Sequence, residues 1–67
     1  MMPIYFVIRD DSYTDNGVVF KDLEVVKIYK DFIKAYTECE KLNKENEYEF
    51  AENGFLVYSI EKRYIED

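Results

Sequence analysis

The chain alternates dense apolar runs with short polar breaks, and the runs carry two different periods. Residues 4–9, Ile-Tyr-Phe-Val-Ile-Arg, are β-branched or aromatic almost throughout. In an extended segment Ile4, Phe6 and Ile8 fall on one side and Tyr5 and Val7 on the other, because successive side chains of a strand point to opposite faces. Apolar residues at both parities predict a central strand. Asp10 to Gly17 reads as a polar loop, and its Asn16-Gly17 dipeptide suits the positive φ of a tight turn. Strand character resumes over 18–29 but is interrupted at Lys21-Asp22. The firm part of this strand is expected at 23–29, antiparallel to the first.

The period then changes. Asp31 is a good helix N-cap, since its carboxylate accepts from the free backbone N–H groups of the first turn. Phe32, Ala35, Tyr36, Cys39 and Leu42 recur at spacings of three and four, which is one helical face. Lys34, Glu38, Lys41 and Glu45 line the opposite side with alternating sign, each pair worth ~0.2–0.5 kcal/mol. Ile33 lies off the apolar stripe and should be exposed. The helix is expected to fray near Asn43 to Asn46. Beyond it Tyr48 and Phe50 alternate with acids, and Asn53-Gly54 is a hairpin signal ahead of the apolar run Phe55 to Tyr58 and Ile60. One reading is a short strand near 48–51 folding back on a longer one at 55–65. The other makes 46–54 an irregular loop.

Together these elements predict one α+β domain over 1–67, a three- or four-stranded antiparallel sheet packed on one helix in the order β-β-α-(β)-β. The first strand should lie in the middle, with 23–29 and 55–65 on either side. These outer strands run parallel, so a right-handed crossover through the helix is expected. One helix covers one face only. Phe6 with its strand neighbours, Val26 and Ile28 are expected beneath it, with Tyr36 in the helix–sheet core. The open face is then expected to hold Tyr5, Val7, Val25 and Tyr29, with Tyr58 from a last strand whose parity the pattern leaves undecided. Tyrosine suits such a face, because it buries area while its hydroxyl stays wet, and it is enriched at interfaces. Tyr5, Val7, Val25, Tyr29 and Tyr58 therefore form a candidate interaction face, for a protein partner or for a second copy in a homodimer. The plainer alternative is a solvated face shielded by the stems of Arg9, Lys27 and Lys62.

Composition sharpens this picture. The 67 residues include seven tyrosines and five phenylalanines, with no tryptophan and no histidine. A 48% hydrophobic fraction favours a folded chain, yet one this short buries only ~60% of its unfolded surface. The lone cysteine, Cys39, rules out an intrachain disulfide, and a structural zinc site lacks its ligands. Either the core is dense or a second chain contributes to it.

Enzyme chemistry is not written in the sequence. Two glycines make no phosphate-binding loop, and no histidine is present to act as a base near neutrality. Asp10, Asp11 and Asp15 lack the spacing of a calcium loop, with Gly17 out of register. Glu47 and Glu49 show no sign of the burial that would split their pKa values. Cys39 sits on the apolar helix face and reads as a small buried hydrophobe. The expectation is a non-enzyme with no cofactor and no metal.

Fifteen acids against nine bases give a net charge of −6, which disfavours direct nucleic-acid binding. Glu45, Glu47, Glu49 and Glu52 form an acidic patch with no base between them. An acidic mimic of nucleic acid, seated in the basic groove of a DNA- or RNA-binding enzyme, is the alternative function this suggests. The ordinary reading is a solvated surface that keeps a small protein soluble. The start, Met1-Met2-Pro3-Ile4-Tyr5, has no basic n-region, and the run Ile4 to Ile8 is too short to span a bilayer. With a single thiol, this fits a reducing cytoplasm and no membrane partner.

The stretch from Val26 to Asn43, Val-Lys-Ile-Tyr-Lys-Asp-Phe-Ile-Lys-Ala-Tyr-Thr-Glu-Cys-Glu-Lys-Leu-Asn, together with Phe55 to Glu66, resembles short proteins encoded by phages and prophages of low-GC Gram-positive bacteria. Those proteins open with a Tyr/Val-rich strand and continue with a strand that ends in an aromatic and a short turn. A helix ending near Leu-Asn follows, and a strand rich in Val, Tyr and Glu closes the chain. Ile33 departs from the pattern, where a charged residue is usual. The resemblance implies an accessory protein of a mobile element that binds and modulates a host protein, as some such proteins do to defence systems. It brings no catalytic residues.

Overall fold

In the computed structural model, which describes residues 1–66, the first strand β1 (Met2–Asp10) is the middle of three. Its neighbours are β4 (Leu23–Tyr29) and β5 (Tyr58–Ile65), both antiparallel to it. Between β1 and β4 the chain makes a second, two-stranded ribbon from β2 (Tyr13–Asp15) and β3 (Val18–Phe20). The helix α1 (Phe32–Glu45) joins β4 to β5 and lies across one face of the sheet. The fold is α+β, with one helix on an antiparallel sheet, as the pattern of apolar positions predicts.

The β2–β3 ribbon is a finding that the sequence reading lacked, since 10–17 reads as a loop. Its pairing continues the register of β1 and β4 outward. Ile8 faces Val25 and Asp10 faces Leu23, then Tyr13 faces Phe20 and Asp15 faces Val18. The backbone link from Asp11 N–H to the Asp22 carbonyl bridges the interruption. One long hairpin therefore closes on Asn16-Gly17, where both residues have positive φ (53° and 79°). That is the two-residue turn whose twist matches the strands it joins. Tyr13 and Phe20 stack on this arm at 5.2 Å.

The helix starts where its cap predicts. The Asp31 carboxylate accepts from the Ile33 N–H at 2.8 Å. At its far end Asn46 caps the last turn, and Glu47 and Tyr48 then take left-handed backbone angles (φ 56° and 53°). Such angles cost a residue with a Cβ roughly 1–2 kcal/mol. They turn the chain sharply and keep 48 out of an extended conformation. The possible strand at 48–51 is accordingly reduced to a single bridge between Phe50 and Leu56. The last strand begins at Tyr58 rather than at 55.

The core is small. Val7, Ala35 and Cys39 are buried at its centre, packed by Tyr5, Val26, Tyr29, Leu42, Tyr58 and Ile60. Two of the helix positions that face the sheet are small residues, so the helix can settle close over Val7. The tyrosine rings frame that contact from β1, β4 and β5. Phe32 touches Tyr5 edge-on, with ring centroids 5.4 Å apart, while Ile33 and Tyr36 are exposed. Ile33 is as expected. Tyr36 is not, because Ala35, Cys39 and Leu42 supply the inward stripe and leave it at the margin.

Candidate interaction surface

Which face the helix covers decides where the candidate residues lie. Val7 is fully buried, and Tyr5, Tyr29 and Tyr58 pack around it beneath the helix. The proposed grouping of Tyr5, Val7, Val25, Tyr29 and Tyr58 on one open face is therefore corrected for four of its five members. Phe6 and Ile28 are corrected in the opposite sense, since they lie on the face away from the helix. Val25 and Val26 keep their expected sides. The physical reason is twofold. β1 is apolar at both parities, so alternation alone does not say which set the helix takes. A bulge also interrupts the pairing: Val7 faces Lys27 and Ile8 faces Val25, leaving Val26 as an extra residue. Bulges of this kind re-aim side chains. Here Val26 packs against the core while Val25 accompanies Ile8 on the other side.

Tyr58 is tied down three ways. Its backbone N–H donates to Asn43 Oδ1 and its carbonyl accepts from Asn43 Nδ2, each at 3.0 Å. Its hydroxyl accepts from Arg9 Nη1 at 2.9 Å. Arg9 Nε in turn donates to both carboxylate oxygens of Asp11 at 3.0 and 2.8 Å. This tyrosine holds the end of the helix to the sheet.

The open face is mainly aliphatic, with Phe6 at its centre. Paired residues of an antiparallel sheet share a face, and Ile4, Phe6 and Ile8 lie opposite Arg63, Glu61 and Ser59 of β5. On the other side Phe6 and Ile8 meet Ile28 and Val25, and Asp10 meets Leu23. Leu23, Val25 and Ile28 are 60%, 49% and 61% exposed. Among the described residues no helix or strand packs on this side. Its charges are few: Glu61 and Arg63, which pair with each other (Nε to Oε1, 2.9 Å), and Asp10 at the end. The Asp10 carboxylate is held below its ordinary pKa, first by its hydrogen bond to Ser12.

At that same end the face runs into a groove of about 480 Å³. Asp10 and Ser59 line it together with Leu56, Tyr58 and the exposed rings of Phe50 and Phe55. The loop that carries these rings is pinned to the hairpin arm by Thr14 Oγ1, which donates to Glu52 Oε1 at 2.7 Å. The pattern of apolar positions points to neither this face nor the groove. Its signal for the face is the alternating set Ile4, Phe6 and Ile8, whose Phe6 the pattern places beneath the helix.

Of the acidic patch, Glu45 ends the helix, Glu47 and Glu49 lie in the turn after it, and Glu52 is held by Thr14. All four are exposed. Among the described residues no group of carboxylates, cysteine or histidine is arranged to hold a metal ion. No described helix is long and apolar enough to cross a membrane.

Cys39 is buried, and burial pushes its thiol pKa up, with the charge of Glu40 adding to the effect. Its reactivity requires the thiolate. A thiol reagent added at mildly alkaline pH should therefore modify the native chain only as fast as it opens, and the urea-unfolded chain at once. Rapid stoichiometric labelling of the folded protein would show that the helix does not cover this residue.

Comparison of the chain with protein-family models, with curated proteins and with solved structures finds no match.

Proposed function

We propose that this chain is a non-catalytic protein-interaction module that binds through the open face of its sheet. The observation that carries this reading is the apolar surface of half-buried Ile4, Phe6 and Ile8 with exposed Leu23, Val25 and Ile28, left without a covering element in so small a fold. Scattered exposed apolar residues are ordinary, but contiguous ones mark interaction sites. In the setting implied by the resemblance to phage and prophage proteins, such a module modulates a partner by occupying its surface.

The test separates this face from the acidic patch. The labelled chain is passed over a sizing column in cell extract, where it should elute above its own mass. A Val25→Asp/Ile28→Asp variant should elute at its own mass, because each aspartate desolvates a charge on binding. Replacing Glu45, Glu47, Glu49 and Glu52 by glutamine should change little, and added salt should change little as well. If instead the glutamine variant loses its partner and salt disperses the wild-type complex, the protein acts by its charge. That outcome would favour the nucleic-acid mimic.

A further inference from the structure

We infer that the occupant of the open face is a second copy of this chain, laid sheet to sheet, with β4 resting on β4 of its partner. This rests on the reading of that face as the binding surface and names what binds there.

Three observations carry it. The first is area. A monomer of 8.1 kDa exposes about 4,500 Å² by the size scaling of folded proteins, whereas this chain exposes 5165 Å². The surplus of roughly 670 Å² approaches the ~800 Å² that each partner gives to a standard interface. The projecting β2–β3 arm, with Tyr13, Val18, Val19 and Phe20 exposed, contributes to the surplus, and the sheet face carries Leu23, Val25 and Ile28 beside the apolar set of β1.

The second is the thinness of the core. Small domains that lack a sufficient core are held by disulfides, a structural metal or oligomerisation. The only cysteine is a buried free thiol, and no metal-holding group is formed among the described residues. Of these devices, oligomerisation is the one that the open apolar face could serve. A partner needed whenever the chain folds is most simply another copy of the same chain, through a self-complementary two-fold interface.

The third is charge. The net charge of −6 opposes self-association in general. The acids of 45–52, however, lie outside this face, and Glu61 and Arg63 on it neutralise one another, which leaves only Asp10 at its end. The same distribution chooses the arrangement. β4 offers only Leu23, Val25 and Ile28 to the open face, while β5 offers Ser59, Glu61 and Arg63. A two-fold axis along the strands would lay aliphatic β4 on charged β5. An axis across the strands lays like on like, so that aliphatic side chains meet and the Glu61–Arg63 pairs stay at a wet rim.

Sedimentation of the purified chain alone through the micromolar range provides the test. The wild type should run at twice the chain mass, with little response to salt. Val25→Lys and Val25→Glu, at the middle of the open-face positions of β4 where the axis crosses, should each weaken association by at least about tenfold, since each sets like charges against one another. Mixed in equal amounts, the two variants should associate again, because lysine of one now meets glutamate of the other. Circular dichroism of each variant confirms that it is folded. A wild type that stays at single-chain mass overturns the inference. So does a dimer that both variants leave intact, or one that their mixture fails to restore. If the purified chain is monomeric while Val25→Asp/Ile28→Asp still abolishes the larger species in extract, the face binds a different protein. Only the self-partner then falls.

Discussion

Asn43→Ala should destabilise the chain by about 2–6 kcal/mol, read as a lowered urea midpoint with unchanged slope. Asn43 is 2% exposed, on the last turns of the helix. Its amide donates to the Tyr58 carbonyl and accepts from the Tyr58 N–H, so it behaves as one more strand residue alongside the start of β5. Alanine would remove both partners and strand two backbone groups where water reaches them poorly. Each such group costs ~1–3 kcal/mol. A domain of this length has only ~3–10 kcal/mol in total, so the variant should be partly unfolded at ambient temperature. Lys44→Ala, one residue on and exposed, is the control and should fall within ±0.5 kcal/mol or so of wild type. Equal midpoints for the two variants would mean that Asn43 does not clamp the helix to the sheet.

Val7→Ala should cost about 2–3 kcal/mol of stability and leave any association through the open face unchanged. Two lost carbons account for ~0.8 kcal/mol each, and the cavity left beneath Ala35 and Cys39 supplies the remainder. Ile28→Ala should show the reverse profile, with stability nearly intact and association weakened. The pair separates the two faces of one sheet. If Val7→Ala instead weakened association and spared stability, the helix would be covering the wrong side.

That question of sides is where the sequence was least legible. Element order, the central place of the first strand, the helix start at Asp31 and the Asn16-Gly17 turn all follow from local rules, because caps, periods and turn dipeptides act within a few residues. The face under the helix is a long-range choice. Ile-Tyr-Phe-Val-Ile offers an apolar set to either side, and aromatic character suggested that the tyrosines belonged outside. Ala35 and Cys39 decide otherwise, since two small residues fit over Val7 with large rings around them. Cys39 and Ala35 were legible as the buried helix stripe, but what they would fit against was not.

The bulge at Val26 could not be read either, since one inserted residue in an apolar run leaves no local mark. The ribbon of Tyr13–Asp15 and Val18–Phe20 was missed because Lys21 and Asp22 looked like the end of pairing. Their polar side chains interrupt the strands without breaking the register. The extra strand at 48–51 failed for a backbone reason, the left-handed angles of Glu47 and Tyr48.

The strand order has a consequence for how the protein is made. β1 is synthesised well before β5, yet the two are neighbours in the finished sheet. The β1–β4 hairpin can close early, through contacts near in sequence. The other edge of β1 must wait until β5 has been synthesised, about 3–11 s at ordinary rates of translation. Throughout that interval the nascent chain carries an unpaired edge beside its most apolar segment, which is the condition under which strands seek the wrong neighbour. The three-stranded sheet is therefore completed only after β5 has emerged.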